Sequence, residues 1–342
     1  MIRCGLVSII FLASLFAPAA AQERVTVGAL RLVTNGALFL AAGKGYFKQE
    51  GLDVEFKFYP AAQPVAAALA AGEIDLGATA FTAELFNLAG KGAIKVIAAQ
   101  AREKRDFEGN EILASNAAYA KGLRKPENLS GHSLAITQLG SSFHYQIGQI
   151  ARLKRFDLKT VTLKPLQSLD AMVSALAAGQ VDAAILPVQH AREMLMASQA
   201  KLVGWYSELD EQQLGGLFAT AKIIQSRRET VDKFVRAYQR GAADFAAGML
   251  RRDRYSKRVS DVNSRAVALV IARYIYPSQA PERAVALIES SAYYVDAQAR
   301  LDVGDVYAQI AWYKSQGLVE ASVDARNVLD LSFVKGHSNL PK

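Results

Sequence analysis

Ala68-Leu69-Ala70-Ala71-Gly72-Glu73-Ile74-Asp75 and Ala175-Leu176-Ala177-Ala178-Gly179-Gln180-Val181-Asp182 are two copies of one pattern, 107 residues apart. In each, a helix-forming Ala/Leu run meets a glycine where a helix C-terminus takes a left-handed residue. An apolar run follows, Ile74 to Ala78 and Val181 to Leu186, which reads as a buried strand. The elements upstream also match. Before the first copy the patterning predicts a strand at Val25 to Leu30, a helix from Gly36 to Lys48, a strand at Asp53 to Phe58 and a helix from Gln63 to Ala71. Before the second it predicts strand Ser133 to Thr137, helix Ser142 to Arg155, strand Thr160 to Lys164 and helix Ser168 to Ala178. Two βαβαβ units in tandem imply an α/β protein of two lobes, each built on a mainly parallel sheet.

Between the units, Ala93 to Ala99 reads as a further strand and Glu111 to Ser115 as a connection between lobes. After them, Gln199 to Gly204 and Gly216 to Ile224 are strand-like. From Ser226 the character turns helical: Val231, Phe234, Val235, Tyr238, Ala242, Phe245 and Met249 follow a 3.6-residue period. Pro281 starts a helix, and Gly317 ends one spanning Val306 to Gln316. This helical third has no counterpart in the repeat and is expected to pack back on lobe one, the alternative being an independent helical domain.

Composition narrows the function classes. A chain of 342 residues with 51% hydrophobic and 21% charged residues is neither disordered nor fibrous. One cysteine excludes a disulfide framework and a cysteine-based zinc site. The formal charge of +8 is compatible with anionic partners without naming one. Residues 1–21 read as a signal peptide: Arg3 supplies a charge, Cys4 to Phe16 is apolar, and Pro18-Ala19-Ala20-Ala21 ends in a small-x-small site, with cleavage after Ala21. The apolar run is too short to span a bilayer. Cys4 has no apolar segment before it, which disfavours a lipid anchor. The mature chain then has no cysteine and fits a soluble periplasmic protein.

Ligands of α/β sheets bind beyond the carboxyl ends of the strands, where helix N-termini present free N–H groups and a partial positive charge. The repeat places Thr34-Asn35 and Ser141-Ser142 at equivalent strand-to-helix turns. Capping alone explains such residues equally well. Other strand ends add Thr79, Phe81 and Thr82 on one side and Pro187, Gln189 and His190 on the other. If the lobes face one another these groups converge, and hydroxyls with free N–H groups suit a carboxylate, sulfonate or nitrate.

The chain resembles the periplasmic solute-binding proteins of nitrate/sulfonate/taurine-type ABC importers, a family that includes binders of thiamine pyrimidine precursors. The resemblance rests on Gly45-Tyr46-Phe47-Lys48-Gln49-Glu50-Gly51-Leu52-Asp53-Val54, on Leu69 to Gly77, on Gly140-Ser141-Ser142-Phe143-His144 and on Trp312-Tyr313-Lys314-Ser315-Gln316-Gly317-Leu318. It implies a type II periplasmic-binding-protein fold, with the turns named above, Phe143 included, lining the cleft. It also implies two chain crossings, near Ser115 and Gly215. Lobe one is then 22–115 plus 216–342, with the C-terminal helices, and lobe two 116–215. The expected partners are a small anionic solute and an inner-membrane permease, with the protein a monomer. Ala78-Thr79-Ala80-Phe81 and Leu186-Pro187-Val188-Gln189 depart from family patterns at the later strand ends, so the solute's identity does not carry over.

His144, on the first turn of its helix, is a possible ligand contact or a capping histidine. A pyrimidine or aromatic solute, the alternative cargo, would stack on Phe81 or Trp205, and Trp205 could equally pack between lobes. Arg31 and Arg102 could grip an oxyanion. Arg251-Arg252-Asp253-Arg254 with Lys257-Arg258 reads as a solvated helix end, with no nucleic acid partner expected. His132, His144, His190 and His337 have no metal spacing, and no cofactor is expected. G-x-x-x-x-G-K-[ST], G-x-S-x-G, H-E-x-x-H and a G-x-G-x-x-G after the first strand are all absent. Ser141 or Ser142 with His144 lacks an orienting third group for a triad. The expected role is solute capture by hinge closure. The enzymatic alternative, resemblance to the pyrimidine synthases of this family, would call for a cysteine-rich motif that is missing here. A receptor-docking sensor would use the same cleft.

Overall fold

A computed structural model describes residues 22–340; the expected signal peptide and cleavage point lie outside the described residues. Among the described residues thirteen strands form three sheets. They are β1 (Glu23–Ala29), β2 (Leu52–Phe58), β3 (Leu76–Ala80), β4 (Ile94–Ala99), β5 (Ala101–Glu103), β6 (Glu111–Ser115), β7 (Ser133–Ile136), β8 (Thr162–Pro165), β9 (Ala183–Leu186), β10 (Ala200–Trp205), β11 (Gln212–Gln213), β12 (Gly215–Thr220) and β13 (Tyr294–Val295). The first sheet runs β2-β1-β3-β12-β4 and the second β8-β7-β9-β6-β10. In both, the first three strands are parallel and the fourth antiparallel to its neighbours.

The repeat explains this symmetry residue by residue. Gly72 and Gly179 sit at φ 73° and 68°, and the next N–H in each copy, Glu73 or Gln180, donates back to Ala68 or Ala175 at 2.9 Å, closing the helix end. Asp75 accepts the N–H of Thr26 on β1 at 2.9 Å, and Asp182 accepts that of Ser133 on β7 at the same distance. Each aspartate thus ties the third strand of its unit to the first. The carbonyls of the same two residues receive the fourth strands, from Thr220 and Ser115.

Three expected boundaries move. The helix expected over 36–48 is divided into Gly36–Gly43 and Tyr46–Gln49, because Gly45 takes a left-handed conformation (φ 74°) between them. The crossing expected near Ser115 lies earlier: Glu111–Ser115 is already an inner strand of the second sheet. The chain passes between the sheets after β5 and returns before β11, and these two short strands pair antiparallel, with β13 on the other edge of β5. At the far end of β12 the expected strand stops at Thr220, whose hydroxyl caps helix Ala221–Ser226.

The helical third buries its apolar stripe on lobe one. Val231, Phe234, Val235, Tyr238 and Phe245 of helix Arg228–Met249 join Val25, Val27, Leu38 and Leu40 in one core, and Phe234 stacks on Phe47 with ring centres 4.8 Å apart. Helix Val303–Ser315 behaves differently, bracing both lobes. It touches helix Ala83–Gly90 of lobe one and helix Ser142–Lys154 of lobe two. Trp312 meets His144 and Tyr145 edge-on, each at 5.3 Å, and Tyr313 donates to the Ser141 carbonyl at 2.9 Å. Among the described residues no helix is long and apolar enough to cross a membrane.

Candidate functional site

The carboxyl ends of the parallel strands of both sheets border one narrow cleft. Lobe one supplies Leu30, Leu32, Thr34, Asn35, Ala61, Ala62, Thr79, Ala80 and Gln100; lobe two supplies Asn110, Thr137, Ser141, Ser142, Phe143, Leu169 and Pro187; Leu214 closes the side where the chain returns. The expected residues Thr34, Asn35, Thr79, Ser141, Ser142 and Phe143 are brought together here, all within 7% of full burial. None of the lining residues is ionisable.

Polar groups divide into those already committed and those free. Asn35 does not cap its helix: its amide donates to the Leu30 carbonyl at 3.0 Å and its oxygen accepts from Gln100. Asn110 is held by Glu103, Gln146 and Tyr293. Ser141 caps its own helix, accepting the His144 N–H at 3.3 Å. Among the described residues, no hydrogen bond engages the hydroxyls of Thr34, Thr79, Thr137 and Ser142. Two helices of useful length open on the same space: Ser142–Lys154, and Ala62–Ala70, whose start has no side-chain cap. Their first N–H groups and dipoles make the cleft electropositive without a cation. Replacing Ser141 by Ala removes a helix cap and is expected to lower stability by about 1 kcal/mol, read as a drop in urea midpoint.

Six expected residues lie elsewhere. Phe81 is fully buried behind the cleft wall, packed on Phe86 and Phe218. Thr82 caps helix Ala83–Gly90, and the Ala83 N–H donates across the lobes to the Gly140 carbonyl at 2.9 Å. His144 points away from the cleft, its Nδ1 accepting the Gly140 N–H at 3.1 Å and its ring against Trp312. Burial pushes its pKa down to about 4, so the ring stays neutral. A proton NMR titration is expected to show no charging of His144 between pH 7 and 5, whereas an exposed histidine would titrate fully. Gln189 spans the lobes instead of facing the cavity. His190 lines an outer opening with Arg31, Tyr59 and Asp170. Trp205 carries Arg192 on its face at 5.3 Å in a separate surface depression.

The arginine expectations also change. Arg102 on β5 is paired with Asp302 at 2.7 Å and is mostly buried, so it is not available to an oxyanion. Arg252 and Arg258 of the basic cluster are not a solvated end: both reach Glu108 on the crossing segment, with only 19% and 12% of their side chains exposed. Leu30, Leu32, Ala61, Ala62, Gln100, Asn110, Thr137 and Leu169 were missed as lining residues. Thr137 could have been found from the repeat, since it ends the strand equivalent to β1; the apolar ones carry no chemical signature.

Beneath the crossings lies a buried polar layer. Glu103 of β5 accepts the Asn110 N–H at 2.9 Å with Gln146 at 3.5 Å, and loss of solvation raises its pKa to about 8. Asp305 accepts from Gln213 and Gln309, and burial raises it to about 7. Burial likewise lifts Glu111 to about 7, against the opposing pull of Arg192. Among the described residues no group of three or more His, Cys, Asp or Glu could hold a metal ion.

Two sheets of this topology joined by a doubled crossing define the periplasmic-binding-protein fold. Residues 34–248 match the family described as NMT1/THI5 like, and the chain belongs to that family. No curated protein sequence matches it. Among solved structures, it is similar to the alkanesulfonate-binding protein SsuA from Xanthomonas axonopodis pv. citri bound to MOPS, with 20% identity, TM-score 0.69, and 92% of this chain and 100% of that one covered. The periplasmic aliphatic sulphonate binding protein SsuA from Escherichia coli aligns with 15% identity, TM-score 0.68, and coverage of 94% and 96%. The periplasmic nitrate-binding protein NrtA from Synechocystis PCC 6803 aligns with 12% identity, TM-score 0.67, and coverage of 89% and 84%. The chain is thus a member of the NMT1/THI5-like family, and the solved structures that share its fold include sulfonate- and nitrate-binding proteins, the group that the sequence resembles.

Proposed function

We propose that this chain is the periplasmic solute-binding component of an ABC importer and captures a small organic anion, a sulfonate or carboxylate, by closure of two lobes about the β5–β11 crossing. The observation that carries this reading is the cleft: free hydroxyls from both lobes, two helix N-termini and the amides of Asn35, Gln100 and Asn110 line a largely apolar cavity with no ionisable side chain among its lining residues. An oxyanion there is held by hydrogen bonds and helix dipoles, as neutral donors can do in a dry site. The wall from Leu30, Leu32, Phe143, Leu169, Pro187 and Leu214 favours a ligand with a hydrocarbon portion over inorganic nitrate.

In this reading β1–β4, β12 and the C-terminal helices form one body, β6–β10 the other, and the solute shifts the population toward the closed form by its differential affinity. The closed protein, a monomer exported through its N-terminal signal, then docks on an inner-membrane permease. It performs no chemistry. An aromatic solute has one specific support, the ring of Phe143 in the wall; Phe81 and Trp205 do not reach the cavity.

A thermal-shift screen tests the proposal, since a ligand stabilises by its concentration relative to its dissociation constant. Alkane- or arylsulfonates or organic carboxylates are expected to raise Tm, nitrate not. The gain should fall at least tenfold in apparent affinity in Thr34→Val with Ser142→Ala. Stabilisation only by cations, by nitrate alone or by no solute of these classes refutes it, as does turnover of a bound solute.

A further inference from the structure

Helix Val188–Met196 of lobe two turns one face toward lobe one. Gln189, in its first turn and 3% exposed, accepts the Val33 N–H on Oε1 at 2.7 Å and donates from Nε2 to the Arg31 carbonyl at 3.2 Å. One turn on, Glu193 accepts the Tyr276 hydroxyl at 3.0 Å. Val33 opens the helical turn Val33–Asn35, and Leu32 before it provides no side-chain cap. Its N–H is one of the donors a helix start leaves without a partner, and the partner comes from the opposite lobe. The gripped turn is itself anchored, because the Arg31 guanidinium lies 3.7 Å above the Phe58 ring and donates to the Tyr274 carbonyl.

A cap supplied across the cleft exists only while the lobes are together; on opening, Val33 and Arg31 must hydrogen-bond water and the Gln189 amide loses both partners. We propose that Gln189 is a positioning residue for closure, a latch whose amide bridges Val33 and Arg31 and so sets the closed fraction of the protein without touching the solute. It departs from the sequence expectation that Gln189 contacts ligand. It rests on the hinge closure proposed above but not on which solute is bound.

The test measures the distance between spin labels on the mature chain carrying Lys48→Cys in lobe one and Lys159→Cys in lobe two, in buffer alone. The background is expected to show a short and a long separation. Gln189→Ala is expected to lower the short-to-long ratio roughly tenfold, the scale of two neutral hydrogen bonds. Gln189→Glu keeps the acceptor for Val33 but sets a carboxylate oxygen against the Arg31 carbonyl, so it is expected to lower the ratio at least as far as Gln189→Ala. Circular dichroism and Tm establish that each variant is folded. A folded Gln189→Ala chain with the parent's ratio overturns the latch alone. A single separation in every chain, unmoved by any solute, overturns the latch together with hinge closure. A ratio that shifts as expected, in a protein for which no solute is found, supports the latch and leaves only the import reading to fall.

Discussion

A chain carrying Gly241→Leu is expected to lose about 3 kcal/mol or more of stability, seen as a large drop in urea midpoint with an unchanged slope. Gly241 lies where helix Arg228–Met249 crosses helix Gly36–Gly43. A Cβ there would stand 2.4 Å from the Ala37 carbonyl oxygen, 2.7 Å from the Ala41 Cβ and 3.0 Å from the Ala41 backbone nitrogen. Two of the three obstacles are backbone, so no rotamer relieves the clash; the helices must separate. Because helix Gly36–Gly43 grows out of the Thr34-Asn35 turn, the displacement reaches the cleft wall, and solute affinity is expected to fall with stability. A midpoint within about 0.5 kcal/mol of wild type would contradict so close a crossing.

Glu103→Gln is expected to stabilise the protein at neutral and alkaline pH and to change little below pH 4.5. In the folded chain Glu103 holds its proton up to about pH 8, against 4.5 when unfolded. The folded state therefore binds one more proton across that window. The wild-type stability tied to this group is complete below 4.5 and lost as pH rises toward 8. At about 1.4 kcal/mol per pKa unit, the wild type loses on the order of 2–4 kcal/mol over the window through this residue. Glutamine fixes the neutral form, so the Tm of the variant should exceed that of wild type by a margin that widens from pH 5 to pH 8. Asp305 and Glu111, each raised to about 7, add pH dependence of the same sign, whereas His144, lowered to about 4, acts oppositely: its contribution is lost as pH falls through 6.5 toward 4. A Tm difference that is constant from pH 5 to pH 8 would show that Glu103 is ionised in the folded chain.

The repeat carried the fold because its signals are local. A glycine after an Ala/Leu run ends a helix wherever it stands, and an apolar run of five or six residues can only be a buried strand beside it. The aspartates at the end of each copy, Asp75 and Asp182, look like ordinary loop acids until Thr26 and Ser133 are seen to donate to them. The cleft was legible in part for the same reason. Thr34 and Ser141 stand at equivalent turns, so symmetry alone put them on facing edges. Phe81, Thr82 and His144 stood just as near strand or helix ends, and their side chains point into the core, into a cap and behind the helix. A side chain's direction one residue past a strand end depends on the packing around it, which no periodicity encodes.

The sequence by itself determined the two α/β units, their parallel strands and the turns from which the site is built, because hydrogen-bonding geometry and apolar periodicity act over a few residues. Only the tertiary structure decided which fourth strand enters each sheet, that Arg102 and Arg258 are bound to carboxylates, that the cleft holds no charge, and that Gln189 reaches across it. Each of these joins residues 100 or more positions apart for at least one of its contacts, and at such separation the outcome rests on burial and mutual desolvation, which exist only once the lobes have packed.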